Sequence, residues 1–301
     1  MKKRILCLGS AALDNIYGVE KIPTGSAKVL AREFVQVGAG MAASAATAIV
    51  RLGGSAEFYG RIGNDPAGLI FLSDMRREGV WANGVRVVGG HQTQVSAIVV
   101  TPDCERVLYT YKDRHMPADP SWLPFDQIRK GYYDGCLVDV RWPEGAGAVL
   151  QAAKEAGVIG MLDADTAPNE DLEKLVPLAS HVVFSKQALL AYTGNGLVAE
   201  ALHIVSTDVN GFVGATIGWE GFLWMQDGGI HRVPSLQVQV VDTLAAGDVF
   251  HGAFILALVE GQPIRHAAHF ACVAASLKCR TFGGRLGAPY REEVEQTLET
   301  F

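Results

Sequence analysis

Cysteine is sparse and unpatterned in this 301-residue chain: Cys7, Cys104, Cys136, Cys272 and Cys279 are odd in number, widely scattered and contain no C-x-x-C pair. That pattern argues against a disulfide framework or a thiolate metal site and reads as reduced, buried thiols of a cytoplasmic protein. No segment reaches the ~20 consecutive apolar residues that a membrane span needs. The start, Met1 to Leu13, imitates a signal peptide with its basic residues and apolar stretch, yet Ile5 to Leu8 reads better as a buried strand and Asp14 cuts the run short. A Pro/Ser linker, a charge block, a low-complexity tract and a solenoid repeat are all missing. Neither sign of charge dominates: the net charge is −6 with acids and bases interspersed, which leaves no footprint for nucleic acid or an anionic membrane. A phosphate-bearing ligand would have to be attracted locally.

What is present is apolar bulk and alternation. At 49% hydrophobic residues the chain can bury a large core, as one α/β domain with an appendage or as two domains. Short β-type runs (Ile5 to Leu8, Ala56 to Tyr59, Gly135 to Val138, Val158 to Leu162, Val182 to Phe184) alternate with helical patterns (Ala42 to Leu52, Ala67 to Glu78, Gly145 to Ala156), the signature of βαβ units around a parallel sheet. Lys28 to Val37 and Thr93 to Tyr111 break that rhythm. They alternate with a period of two, and a turn at Pro102 to Glu105 folds the second region into a hairpin. Such inserted strands predict a small sheet able to cover a site and exclude water from it. Strands Gly221 to Met225 and Ile230 to Val233 read as antiparallel, followed by helices Asp248 to Glu260 and Ile264 to Lys278, a flexible Gly283 to Gly287 loop with one cation, and a last helix Arg291 to Leu298.

The most informative stretch is Asp242-Thr243-Leu244-Ala245-Ala246-Gly247-Asp248, read as a strand (Val238 to Val241) feeding through small residues into an apolar helix. Small residues at a helix start leave N–H groups open to an anion, and the helix dipole favours negative charge there. Asp248, in the first turn, is expected to stay ionised. A carboxylate beside an anion cradle is what phosphoryl transfer to a hydroxyl needs: a proton acceptor and fixed dipoles facing the transferred group. The plainer reading is a capped core helix, for which Asp242 and Thr243 suffice.

Gly38-Ala39-Gly40-Met41-Ala42-Ala43 also fits the dinucleotide fingerprint, but it follows the third β-type segment rather than the first, and Glu57 and Asp65 are poorly placed as the ribose-binding acid. A dehydrogenase would leave 242–248 unexplained. Thr216-Ile217-Gly218-Trp219-Glu220-Gly221 follows a strand, and its glycines permit close backbone approach to phosphates or ribose; alone it reads equally as a hairpin turn. Arg141 lies at a strand exit, where ligands sit in open α/β sheets, and Lys28 falls on a predicted lid strand. Two cations converging on one pocket suit a substrate with an anionic end. His266 and His269, three apart on a helix, read as ordinary surface histidines rather than a metal pair. No Walker G-x-x-x-x-G-K-[ST] is present, which excludes a P-loop kinase.

Asp242 to Asp248 resembles the D-T-x-G-A-G-D signature of the ribokinase, or PfkB, family of small-molecule kinases, with Ala245 in place of the usual first glycine. The likeness spans nearly the whole chain. It implies a ribokinase-like three-layer α/β fold with a mostly parallel central sheet, one kinase domain over residues 1–301, and a β lid from about 16–37 and 91–112. By this resemblance Asp248 is the base and Ala245, Ala246 and Gly247 form the anion hole. ATP then contacts Lys186, Thr216, Gly218, Gly221, Thr243, Lys278 and Gly284, and the sugar contacts Asp14, Gly38, Gly40, Ser44 and the lid. Ser44 stands where the family usually has Asn. The family's N-x-x-E motif, which organises Mg²⁺, reads Ser185-Lys186-Gln187-Ala188, leaving Asp163 and Asp165 as substitute candidates and Mg²⁺ held mainly by ATP. A monovalent cation (K⁺) is a further possible cofactor, and a homodimer through the lid edge a possible assembly.

The phrases Asp139-Val140-Arg141-Trp142, Asp163-Ala164-Asp165, Asp248 to Ala253 and Leu277 to Arg280 look like the sulfofructose kinase branch, which phosphorylates 6-deoxy-6-sulfofructose at the C1 hydroxyl. There Lys28 and Arg141 would meet the sulfonate, and Thr110 replaces an expected Asn. Fructose, ribose or 2-keto-3-deoxygluconate are the alternative acceptors. The missing N-x-x-E motif also motivates a non-enzyme alternative, a sugar-binding regulatory relic of the same fold.

Overall fold

The computed structural model describes residues 2–300. Strands β1 (Arg4–Leu8), β2 (Ala12–Gly18) and β3 (Glu33–Ala39) lead into helix α1 (Met41–Arg51), followed by β4 (Ser55–Gly63), α2 (Pro66–Arg77) and β5 (Trp81–Val88). The hairpin β6 (Gln94–Val100) and β7 (Arg106–Tyr111) comes next, then α3 (Phe125–Arg129), β8 (Gly135–Asp139), α4 (Pro143–Ala156), β9 (Ile159–Ala164) and α5 (Asn169–Leu175). The chain finishes with β10 (His181–Ser185), α6 (Lys186–Thr193), α7 (Val198–Asp208), β11 (Phe212–Thr216), β12 (Phe222–Gln226), β13 (Gly229–Val233), α8 (Ala246–Val259), α9 (Ile264–Lys278) and α10 (Arg291–Thr300).

Nine strands form one sheet in the order β13-β12-β11-β10-β9-β8-β1-β4-β5. All pairings are parallel except β11 with β12 and β12 with β13. The central strands are buried on both faces, β8 throughout, as expected when helices cover both sides of a parallel sheet. One apolar layer gathers α1, α8 and α9 against the sheet and the other gathers α4, α6 and α7. Helices α1 and α8 cross closely enough that a Cβ on Gly252 would lie 2.5 Å from the Ala45 carbonyl oxygen.

A second sheet, ordered β3-β2-β6-β7, stands apart from the first. Its register sets Asp14 opposite Val37 on one side and Ser96 on the other, and Ser96 opposite Thr110. Alternation then puts Asp14, Ser96 and Thr110 on one face. The two-residue periodicity read from the sequence is therefore real.

Several local expectations change. Val238 to Val241 is not a strand, because no neighbouring strand is offered to it: the Val241 and Asp242 amides both donate to the Cys279 carbonyl instead. Asp14, past the end of β1, lies within β2, and Lys28 sits in the exposed connection before β3 rather than on a strand. Strand β5 was not anticipated. The Gly283 to Gly287 loop is a tight 3₁₀ turn whose cation, Arg285, is buried.

Among the described residues no single helix is long and apolar enough to cross a membrane, and all five cysteines are free.

Candidate active site

Asp242 organises the turn that precedes α8. Its buried carboxylate accepts from the Leu244 amide through Oδ1 (2.8 Å) and from the Gly283 and Gly284 amides through Oδ2 (3.0 and 2.8 Å). Lys278, fully buried, donates its Nζ to the Asp242 carbonyl at 2.6 Å and lies 3.4 Å from Oδ2. A fixed positive charge is thereby built into the base of the turn.

Ala245 caps α8 at φ 63° and ψ 10°, the left-handed region that glycine occupies at little cost. An alanine there carries strain of about 1 kcal/mol. Ala245→Gly is therefore expected to stabilise the protein slightly, by no more than about 0.5 kcal/mol in urea unfolding, since relief of strain only slightly exceeds the added freedom of the unfolded chain. A loss of stability in that variant would contradict the strain assignment.

The turn opens onto two adjoining cavities. The larger, about 590 Å³, is floored by Ala245, Ala246, Gly247, Asp248 and His251 and walled by Ser10, Gly40, Met41 and Ser44. The inner face of the small sheet closes it with Asp14, Ser96 and Thr110, and Lys112 and Arg141 also line it. The smaller, about 420 Å³, runs along Gly218, Trp219, Gly221, Leu236, Val238, Phe250, Ala275 and Cys279. Arg106, Thr216, Thr243, Ala246 and Gly247 line both.

Gly40 is the turn that joins the small sheet to α1. With φ 120°, and Ser10 O only 2.0 Å from where a Cβ would stand, no other residue fits there. Asp139, at the end of β8, pins this wall from below. Its Oδ2 accepts from the Ser10 amide (3.0 Å) and the Ala42 amide (3.2 Å), and its Oδ1 from the Arg141 amide (2.8 Å). The cavity thus opens at the carboxyl ends of β1 and β8, where the strand order reverses direction along the chain, the usual ligand position in such sheets.

Burial dominates the electrostatics. The Asp248 carboxyl is pushed upward, first by burial and then by the neighbouring Asp163 charge, with His251 pulling the other way. The expectation that Asp248 stays ionised is weakened: the helix N-terminus does not offset desolvation and a second acid. An upward shift moves a base toward the pH at which it works. Asp163 is raised by burial and by the charges of Asp165 and Asp139. His251 is buried, and its Nδ1 lies 2.7 Å from the Gly247 carbonyl and its Nε2 3.4 Å from Asp163 Oδ1, which ties β9 to the catalytic turn. Burial and the charges of Arg61 and Arg141 hold the Lys112 ammonium below its usual range.

The residues singled out in the sequence distribute as follows. Asp14, Gly40, Ser44, Thr110, Arg141, Asp163, Asp165 and the 245–248 turn share the larger cavity, and Thr216, Gly218, Gly221 and Thr243 line the smaller. Gly284 lines the larger cavity rather than the smaller, because its amide is held by Asp242. Gly38 faces neither, since its amide donates to Asp74 Oδ2 (2.8 Å) and its carbonyl accepts from Arg285. Lys278 is spent on Asp242. Lys186 pairs with Glu220 at 3.8 Å outside both cavities, and Lys28 is remote from them.

Arg141 donates to the Thr166 carbonyl (2.7 Å) and to Asp165 Oδ2 (3.0 Å), and Asp165 also accepts from Ser185 Oγ (3.0 Å). Among the described residues no three His, Cys, Asp or Glu side chains cluster to hold a metal. Of the four carboxylates lining the cavity, Asp163 and Asp165 suit a magnesium ion that arrives with phosphates and keeps its waters, not a protein-built cage. Arg106, Lys112, Asp139 and Arg285 were not singled out from the sequence. For Arg106 and Lys112 the signal was available, since both share the parity of Thr110 in an alternating strand.

The family model for pfkB family carbohydrate kinases matches residues 2–291. The chain is 28% identical to the ribokinase of Bacillus subtilis (strain 168) over 300 residues, covering 98% of this chain and 99% of that one. It is 27% identical to a probable chloroplastic fructokinase of Arabidopsis thaliana, covering 98% and 82%. A solved structure of a putative ribokinase from Agrobacterium tumefaciens superposes with a TM-score of 0.96 at 40% identity, covering 100% of this chain and 98% of that one. Arabidopsis thaliana ribokinase, solved with ribose and ATP, gives 0.85 at 23% identity over 99% of both chains, a likeness of fold.

Proposed function

Because the chain belongs to the pfkB family of carbohydrate kinases, we propose that it transfers the γ-phosphate of ATP to a primary hydroxyl of a ketose with an anionic end, 6-deoxy-6-sulfofructose at C1 being the best fit. The observation that carries this reading is the larger cavity itself, lined both by a carboxylate in the first turn of a helix, Asp248, and by two cations, Lys112 and Arg141.

In this reading ATP occupies the smaller cavity with its terminal phosphate at the α8 N-terminus. Asp163 and Asp165 are the residues that would face a magnesium ion arriving with the nucleotide, whose charge would neutralise that of the phosphates. Asp248 removes the hydroxyl proton as the oxygen bonds to phosphorus. The bond from phosphorus to the bridging oxygen breaks, and ADP leaves with that oxygen. The Gly247 and Asp248 N–H groups of the first turn of α8 face the charge on the transferred group, the expected Ala246 N–H being taken by the Thr243 carbonyl at 3.2 Å. The small sheet acts as a lid that shields the phosphoryl group from water, which would otherwise compete as acceptor. Its unpaired β3 and β7 edges are where a homodimer would form.

Asp14 holds two sugar hydroxyls. Burial lifts its carboxyl to about 6, opposed by a hydrogen bond from Ser96 and the charge of Arg285. Because the carboxylate is the better hydroxyl acceptor, KM for the sugar is expected to rise as pH falls through 6, approaching tenfold per pH unit below it. In Asp14→Asn, KM is raised and that limb of its pH profile disappears. A limb kept in Asp14→Asn would assign it to another group.

The second reading is a neutral acceptor such as ribose or fructose; 2-keto-3-deoxygluconate, a carboxylate, would keep the anionic end with a different acid group. The neutral reading is favoured by the pairing of Arg141 with Asp165, which already spends part of that charge. Steady-state ADP release with sulfofructose, fructose, 2-keto-3-deoxygluconate and ribose separates the two. A preference for the sulfonated sugar that Arg141→Ala abolishes supports the anionic end, and an unchanged preference in that variant overturns it.

A further inference from the structure

Phosphoryl transfer needs positive charge at the point where the phosphate crosses from donor to acceptor, and the family resemblance does not say which side chain of this protein supplies it. Most cations near the cavities are spoken for. Arg285 is held by Asp74 and Glu78 and Arg141 by Asp165, while Lys112, whose partner is the neutral Arg141 carbonyl, lines the larger cavity and not the smaller. Lys186 lies outside with Glu220.

Arg106 differs from all of these. It begins β7, paired with Val100, and alternation puts it on the face that carries Leu108 and Thr110 over the larger cavity. It also lines the smaller cavity. Of the five residues common to both it is the one with a charge, the others being Thr216, Thr243, Ala246 and Gly247. Its Nη1 donates to Thr243 Oγ1 at 3.1 Å, directly above the turn that leads to Asp248. That hydroxyl is a neutral partner, so the guanidinium charge is left uncompensated, and a phosphate oxygen would replace the hydroxyl with a gain in charge pairing.

We propose that Arg106 is a catalytic residue carried by the lid: its guanidinium moves from Thr243 onto the equatorial oxygens of the phosphoryl group as that group passes between the two cavities. The inference rests on the phosphoryl-transfer reading above. A planar two-pronged donor matches a trigonal phosphoryl group, and charge on those oxygens is what the transition state spreads. The same sheet face carries Asp14, Ser96 and Thr110 against the acceptor, so a lid drawn down by the sugar brings Arg106 with it. Transfer to sugar is then favoured over hydrolysis of ATP when no sugar is bound.

The test uses the full chain, Mg-ATP and whichever of sulfofructose, fructose or ribose the wild type turns over fastest. In Arg106→Gln, kcat is expected to fall by about 10² to 10³ with sugar KM within about threefold of wild type. Arg106→Lys should recover part of the loss, and millimolar guanidinium should raise the rate of Arg106→Gln but not of wild type. The side chain is exposed, so the unfolding midpoint should not move. A wild-type kcat in Arg106→Gln, or a change confined to KM for ATP, overturns the assignment while leaving the kinase reading intact. Wild-type protein that transfers no phosphate to any of the sugars removes the reading on which the assignment stands.

Discussion

Asp248→Asn lowers kcat by about 10² to 10⁴, the scale of a lost general base, and leaves sugar and nucleotide affinity close to wild type. The substitution keeps shape and removes only the capacity to take a proton. Stability separates a catalytic role from a structural one. The carboxyl is raised in the folded state by burial and by Asp163, so its ionised form costs folding free energy at any pH above the unfolded carboxyl value, and that cost is absent below it. Neutral Asn removes the cost. The unfolding midpoint at pH 7 should therefore stay or rise while turnover collapses, whereas a variant that loses both together would mark Asp248 as a cap of α8.

Arg285→Met is expected to destabilise the fold by ~3–5 kcal/mol, the cost of leaving buried carboxylates without their partner. The side chain is completely buried. Its Nη1 lies 3.1 Å from Glu78 Oε1, its Nη2 3.4 Å from Asp74 Oδ2, and its Nε donates to the Gly38 carbonyl. Asp74 in turn accepts from the Gly38 amide. One guanidinium therefore fixes both polar groups of the residue that ends the small sheet before the Gly40 turn, and it lies one residue beyond Gly284, which is anchored to Asp242. The sugar wall and the catalytic turn meet at this side chain. Urea unfolding should show the loss as a shifted midpoint with an unchanged slope, accompanied by a higher sugar KM. A loss below about 1 kcal/mol would mean that water or Arg51, which also pairs with Glu78, takes over the acids.

The parts of this molecule that depend on local pattern are legible in its sequence. Apolar runs of strand length, each followed by a helix, place the central sheet. Period-two alternation places the lid strands, and small residues before Asp248 place the turn of α8. The parts decided by distant partners are not. Val238 to Val241 has strand composition, but strand formation needs a neighbour, and the amides of 241 and 242 find Cys279 first. A Gly-Gly-Arg segment looks mobile until Asp74 and Glu78, far away in the chain, bury its charge. Lys278, at the end of α9, is assigned to ATP by the family resemblance until Asp242 is seen to take it. Arg106 is the instructive omission: parity along β7 already set it beside Thr110, and only the adjacency of the two cavities gives that position meaning.

The most direct measurement is transfer of label from γ-³²P-ATP to a ketose by the wild-type chain, with Asp248→Asn in parallel. Label is expected on a sugar phosphate with wild type and is expected to fall by at least about 10² in the variant. Label on sugar at equal rates in both would contradict the role given to Asp248, and label found only as inorganic phosphate would contradict the kinase reading itself.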